Sequence, residues 1–124
     1  MACVMGVGGV FIKAPDVEAW KHWYRRVLGV TLEDFGGAIF PHPNRGYTIL
    51  SPFAAESTYF APSEHPVMIN LIVDDIDGVL IAAEAAGEVP LARLDDKDGR
   101  FAWLLDPAGL NVELWEPPAA PAAA

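Results

Sequence analysis

The sequence predicts an α+β protein of two βαβββ modules, which together form an open, concave, eight-stranded, barrel-like sheet with the helices outside. Three observations predict this fold. A sequence unit occurs twice, since the segment beginning at Phe11 aligns with the segment beginning at Asn70, almost half of the 124-residue chain further on. Each copy contains one helical pattern, and short apolar runs separated by turn residues follow each helix.

Both predicted helices begin after an aspartate and end at a glycine. Asp16 and Asp75 are candidate N-caps, because their carboxylates can accept hydrogen bonds from the free N–H groups of a first turn. Apolar residues then recur at helical spacing, and Gly29 and Gly87 stand where a left-handed residue commonly closes a helix. The pattern predicts helices over about 17–28 and 76–86.

Short strands are predicted around each helix. The clearest turn between two of them is Asp106-Pro107-Ala108-Gly109, which has the residues of a type I turn. One βαβββ unit cannot close a core alone, whereas two units can place their sheets side by side and enclose a cavity. A ferredoxin-like βαββαβ sandwich is the alternative, and it leaves two strand segments unused. The strands predicted after the helices span 30–34, 38–40, 47–51, 88–94, 100–105 and 110–115.

Residues 1–117 are predicted to form a single domain. Module one covers about 6–53, a linker covers 54–65, and module two covers about 66–117. The Pro/Ala-rich residues 118–124 have nothing to pack against, so we expect a disordered tail there.

Composition excludes several classes of partner. The chain has 17 acidic and 8 basic residues, a net charge of −9, which disfavours binding to nucleic acid and to anionic membranes. No apolar run approaches the roughly 20 residues that span a bilayer. Cys3 is the only cysteine, so no intrachain disulfide can form and a cytoplasmic location is expected. The acidity suits a cationic ligand, although it is also a common device for solubility.

Three motifs resemble those of the vicinal oxygen chelate superfamily, which includes glyoxalase I, bleomycin-binding proteins and extradiol dioxygenases. WYRRVLG at 23–29, preceded by Asp16, resembles its first-half signature, and VDD at 73–75 resembles its second-half signature. DPAGLNVEL at 106–114 resembles its closing signature. The stretches 8–13, 46–53 and 68–70 are also similar to glyoxalase-like proteins, so the resemblance covers about 6–117.

The resemblance implies four metal-ligand positions, one on each of four strands. In this sequence they fall on Gly9, on Ile49 or Leu50, on Met68 and on Glu113. Only Glu113 offers a hard ligand, and one carboxylate does not make a selective divalent site. We therefore predict no metal site and no cofactor. A metal site rebuilt from His42 or His65 is the alternative.

The remaining site predictions depend on residue alternation. The 106–109 turn is predicted to pair Leu105 with Leu110 and Ala102 with Glu113, which places Phe101 and Trp103 under a helix. The resemblance turns the Glu113 face toward the cavity. Glu113 is the candidate catalytic acid or base, or the anchor of a ligand. The candidate ligand-binding residues are Phe11, Met68, Asn70, Ala102, Asn111 and Trp115.

Two structural interpretations stay open for these residues. Glu113 can instead form an ion pair with Arg100 or Arg45, and Asn70 can serve as a structural hydrogen-bonding group. The aromatic residues of the middle of the chain either line the cavity or belong to a core; they are Tyr47, Phe53, Tyr59 and Phe60.

The sequence favours a glyoxalase/bleomycin-resistance-like protein that binds a small organic molecule, cationic or aromatic, in a metal-free cavity. The alternative is a metal-dependent isomerase, lyase or dioxygenase of the same superfamily, and a third interpretation is an interaction module with a vestigial pocket. A homodimer is expected, because an open sheet has edges that need covering.

Overall fold

Two helices and one four-stranded sheet form the regular part of the structure. The computed structural model describes residues 9–42 and 45–119. The predictions that fall on residues 1–8, on the turn residues 43–44 and on the tail residues 120–124 lie outside this part of the chain. The elements are α1 (Val17–Leu28), β1 (Ile69–Ile72), α2 (Ile76–Ala85), β2 (Ala92–Asp96), β3 (Gly99–Leu105) and β4 (Asn111–Glu116).

Both helices lie where the sequence predicts them, and the reason is their caps. The Asp16 carboxylate accepts from the Ala19 N–H at 3.0 Å, and the Asp75 carboxylate accepts from the Gly78 N–H at 3.2 Å. Gly29 closes α1 in the left-handed region, with φ of 66°. The predicted duplication of the cap and helix is therefore confirmed.

The sheet has the order β1-β4-β3-β2, with β1 parallel to β4 and the other pairs antiparallel. Module two thus forms the predicted βαβββ unit, and the α+β class is confirmed. In module one the described residues form α1 but no strand. The segments 30–34 and 38–40 meet only at a tight turn, where the Glu33 N–H donates to the Gly37 carbonyl at 2.8 Å. Over the described residues the sheet is open and has four strands, so the eight-stranded organisation stays a prediction.

The predicted register between β3 and β4 is wrong by one residue. Leu105 lies opposite Asn111, Trp103 opposite Glu113, and Ala102 opposite Leu114. The reason is the turn, where the Asp106 N–H donates to the Leu110 carbonyl and encloses a three-residue loop instead of a two-residue one.

The loop is held by the buried carboxylate of Asp106, which is 4% exposed. It accepts from the backbone N–H groups of Ala108 at 2.8 Å and of Leu110 at 2.9 Å. Its other oxygen accepts from the Tyr24 hydroxyl of α1 at 2.8 Å. Gly109, at φ of 81°, supplies the left-handed residue that the extra loop position requires.

The register decides which face of the sheet is the core. The face of β3 and β4 that carries Ala102, Leu104, Val112 and Leu114, all of them fully buried, packs against α2. Buried side chains of α1, which packs against α2, belong to the same core. Ala102 is therefore a core residue and not a cavity residue. The opposite face carries Phe101, Trp103 and Trp115, and none of these packs against the helices.

Within the described ranges, neither helix is long and apolar enough to cross a membrane.

We predict that Asp106→Ala lowers the free energy of unfolding by roughly 3 kcal/mol, because two backbone N–H groups and the Tyr24 hydroxyl lose their buried acceptor. Tyr24→Phe removes one of the three bonds and should cost roughly 1 kcal/mol. Asp106→Asn keeps one acceptor oxygen for the turn, so its loss of unfolding free energy should lie between the losses of the other two variants. Urea unfolding curves measure all three, and an Asp106→Ala variant as stable as the parent would contradict this account of the turn.

Candidate functional site

A cavity of about 780 Å³ lies between the open face of the sheet and three segments of module one, 28–31, 39–41 and 47–49. β1, β3 and β4 form its other wall. The volume is that of a small-molecule site. The side chains on the sheet side include Asn70, Ile72, Phe101, Glu113 and Trp115, and those on the module-one side include Ile39, Phe40, Tyr47 and Ile49.

Glu113 is the buried carboxylate of this cavity, with 7% of its surface exposed. Its Oε1 atom accepts from the Asn70 amide nitrogen at 2.7 Å. Its Oε2 atom accepts from the Trp103 indole N–H at 2.9 Å and from the Tyr59 hydroxyl. All three partners are neutral donors, so hydrogen bonds and not a countercharge compensate the burial of this group.

The strand register brings two of these donors to Glu113. Parallel pairing of β1 with β4 places Asn70 opposite Glu113, and antiparallel pairing of β3 with β4 places Trp103 opposite it from the other side. Directly opposed residues share a face of the sheet, so their side chains are within contact distance. Tyr59 reaches the same carboxylate from the linker between the modules.

The ion-pair interpretation of Glu113 is wrong. Arg100 instead binds the Asp77 carboxylate through two nitrogens, at 2.8 Å and 2.9 Å. Arg45 donates to the Pro117 carbonyl. In the described part of the chain, Glu113 has no basic partner.

Tyr59 is held as a hydrogen-bond donor. Burial raises the pKa of its phenol well above the usual range, and the hydrogen bond to Glu113 and the carboxylate charge raise this pKa further. The hydroxyl therefore stays protonated at neutral pH and keeps donating to Oε2. Its ring stacks on Phe53 at 5.2 Å and meets the edge of Trp103 at 6.3 Å.

An aromatic shelf, formed by Phe101, Trp103 and Trp115, flanks the carboxylate. Phe101 stacks on Trp115 with centroids 6.4 Å apart and on Trp103 with centroids 6.1 Å apart. Tyr47 of module one meets the edge of Trp115 at 5.1 Å. Such a shelf can stack on a planar ligand and can attract a cation through the ring faces.

The charged side chains that line the cavity are acidic. Asp98 and Glu113 are the charged side chains among the described residues that line it, and no basic side chain is among them. The Trp115 indole N–H donates to the Asp98 carbonyl at 2.9 Å, which fixes that ring beside the acid. The combination favours a ligand that carries a positive charge.

The donor set does not fit a divalent metal ion. Of the positions that the resemblance implies for ligands, Gly9, Ile49, Leu50 and Met68 offer no hard donor, and both oxygens of Glu113 already accept hydrogen bonds. His65 instead bonds the Ala108 carbonyl at 2.8 Å, and His42 is exposed. Across residues 9–42 and 45–119, no three His, Cys, Asp or Glu residues are close enough together to hold a metal.

The structure brings together three of the predicted site residues, Asn70, Glu113 and Trp115, which line the cavity side by side. Phe11 is 96% exposed and Met68 is half-buried, and neither is among the lining residues. The remaining two are held elsewhere. Asn111 donates to the carbonyls of Phe60 and Ala61 at 3.4 Å and 3.2 Å, and Ala102 lies in the core.

Trp103 and Phe101 are the site residues that the sequence reasoning missed. The two-residue turn that it assumed assigned both of them to the helix-covered face. The available signal was Gly109, because a glycine at the fourth position of the turn also fits a three-residue loop with a left-handed closing residue. That loop moves every side chain of β3 to the opposite face.

Residues 6–114 match the sequence model of the Glyoxalase/Bleomycin resistance protein/Dioxygenase superfamily. No curated protein sequence matches the chain.

Several solved structures share the fold. TnmS3, an antibiotic binding protein from Streptomyces sp. CB03234, is 19% identical, with 92% of this chain and 99% of that chain covered and a TM-score of 0.57. A protein from the mobile metagenome of V. pseudocholerae is 16% identical, with 90% and 96% covered and a TM-score of 0.53. An integron cassette protein from V. cholerae is also 16% identical, with 90% and 97% covered and a TM-score of 0.53.

We predict that Glu113→Gln changes the free energy of unfolding by less than about 1 kcal/mol, whereas Glu113→Met lowers it by roughly 2 kcal/mol. In the glutamine variant the carbonyl oxygen still accepts from Trp103 and Tyr59, and the Asn70 amide can turn over to accept from the new NH₂ group. Methionine fills the same space but leaves all three donors without an acceptor. Thermal and urea unfolding measure the difference. Equal stability of the two variants would show that these hydrogen bonds do not contribute to the free energy of unfolding.

Proposed function

Because the chain belongs to the Glyoxalase/Bleomycin resistance protein/Dioxygenase superfamily, we propose that it is a binding protein that holds a small aromatic cation in the cavity without a resident metal ion. Glu113 is the anchor for the positive charge. The aromatic shelf of Phe101, Trp103 and Trp115 holds the planar part of the ligand.

The observation that carries the proposal is the environment of Glu113. This carboxylate is 7% exposed, accepts from three neutral donors and lies in a largely apolar cavity. Coulomb attraction is stronger there than in water, so a ligand cation gains more from this group than from a surface acid. The absence of basic lining residues among those described points in the same direction.

The similarity to TnmS3 adds support at the level of the fold. TnmS3 is an antibiotic binding protein. At 19% identity the likeness concerns the backbone alone, so the ligand of this chain is inferred from its own side chains.

The exposed apolar surface of module one is suited to form the interface of a homodimer. Large apolar side chains there are more than 60% exposed, among them Phe35, Ile39, Phe40 and Leu50. A homodimer in which these segments complete the eight-stranded sheet would bury them. The dimer and the full sheet stay predictions from the sequence.

We predict that Glu113→Gln weakens binding of an aromatic cation by about 1–3 kcal/mol, because a charge-assisted contact is lost while the fold is kept. The ligand is first found by a thermal-shift screen of aromatic amines, and its affinity is then measured by calorimetry. Glu84→Gln makes the same chemical change on the exposed face of α2 and is the matched control. Unchanged affinity in Glu113→Gln would remove Glu113 from the site.

We also predict that protein purified without chelator carries far less than one equivalent of zinc, nickel, manganese or iron. The reason is the donor set, in which one carboxylate with both oxygens in use stands where several hard ligands are needed. Elemental analysis after dialysis measures this. Stoichiometric metal that disappears in His42→Ala or His65→Ala would support the metal-dependent interpretation instead.

A further inference from the structure

The hydrogen bonds of Glu113 leave the two carboxylate oxygens unequal. A carboxylate offers about four acceptor positions, two on each oxygen. Trp103 and Tyr59 fill both positions of Oε2. Asn70 fills one position of Oε1. The described residues therefore leave a single acceptor position open, on the oxygen beside Asn70.

This inequality separates two kinds of ligand cation. A guanidinium binds a carboxylate through a planar fork, in which two parallel N–H groups need one open position on each oxygen. Oε2 has none. An ammonium group is a compact donor and needs one position only, which Oε1 supplies.

Asn70 offers the ammonium group a second acceptor. Its amide nitrogen is committed to Glu113, which leaves its carbonyl oxygen as an acceptor next to the open position. Asn70 is exposed and lines the cavity, and within the described residues its carbonyl oxygen has no hydrogen-bond partner.

We propose that the cavity selects an aromatic molecule with an ammonium group over the same molecule with a guanidinium group, and that Tyr59 enforces this choice by occupying Oε2. The inference rests on the proposed function, since it names the cation that the binding site takes. Tyr59 is a specificity-determining residue in this account, because removing its hydroxyl reopens one position on Oε2.

Tyr59 can be tested without disturbing the rest of the site. It is 45% exposed, and its ring is held by stacking on Phe53 and by the edge of Trp103. Tyr59→Phe keeps these ring contacts and loses only the hydroxyl. Tyr47→Phe is the matched control, because Tyr47 lines the same cavity and contacts Trp115, but its hydroxyl is not a donor to Glu113.

The experiment is calorimetric titration of the parent, Tyr59→Phe and Tyr47→Phe with three probes that share one ring system: naphthylethylammonium, naphthylethylguanidinium and naphthylethanol. We expect the parent to bind the ammonium probe about tenfold tighter than the guanidinium probe, the difference expected from one charge-assisted hydrogen bond. In Tyr59→Phe the preference should shrink several-fold through tighter guanidinium binding. In Tyr47→Phe the ratio of the two affinities should stay at the parent value, even where both affinities change together.

The outcomes separate this inference from the proposed function. Equal affinity of the parent for the two cations, or an unchanged preference in Tyr59→Phe, overturns the selection by Tyr59 and leaves cation binding intact. Naphthylethanol binding as tightly as the ammonium probe overturns the role of the charge, and with it both the inference and the proposed function. No binding of any probe overturns both the inference and the proposed function.

Discussion

The carboxylate of Asp106 is the interaction on which the rest of the structure depends. It joins the Tyr24 hydroxyl of α1 to two backbone N–H groups of the β3–β4 turn, so it couples the helix of module one to the sheet of module two. These bonds hold the turn in which the Asp106 N–H donates to the Leu110 carbonyl and encloses three loop residues, and the loop length sets the register of the two strands. Because a shift of one residue would exchange the faces of β3, this one carboxylate decides which residues enter the core and which enter the cavity.

The cavity and the core therefore lie on opposite faces of the same sheet, and one strand register fixes both. On one face, Ala102, Leu104, Val112 and Leu114 are covered by the helices and supply the hydrophobic stability of the domain. On the other face, the same strands present an aromatic shelf and a buried carboxylate that has no basic partner in the part of the chain that the structure describes. Burial of that carboxylate is tolerable because the strands on both sides and the linker each contribute a donor. The donors that compensate the burial of Glu113 also occupy its acceptor positions. In the proposed function, the stability of the site and its selectivity therefore come from the same hydrogen bonds.

The predictability of each feature follows from the range of the interaction that forms it. The helices follow from local caps, and the bounds of α1 agree to the residue because Asp16 and Gly29 act within one turn of its ends. Strand alternation places Asn70 on the face of Glu113 for the same local reason. The β3 face was missed because a turn of two loop residues and one of three share the signature Asp-Pro-x-Gly, and only the conformation of Gly109 separates them. Tyr59 and Glu113 are 54 positions apart in the sequence, and no periodic sequence pattern predicts a contact over that distance.

Glu113 shows how a strand position can keep its residue and change its chemistry. The family resemblance makes this position a metal ligand, and a ligand carboxylate must point free lone pairs at the ion. Here Trp103 and Asn70, which flank it on β3 and β1, donate to those lone pairs. A histidine at Gly9 or Met68 would leave both oxygens of this carboxylate accepting hydrogen bonds, so it would not by itself create a metal site. The neighbours of Glu113 therefore restrict its role. In the proposed function, donors on both flanking strands leave this carboxylate as an acceptor for a single ammonium group and not as a metal ligand.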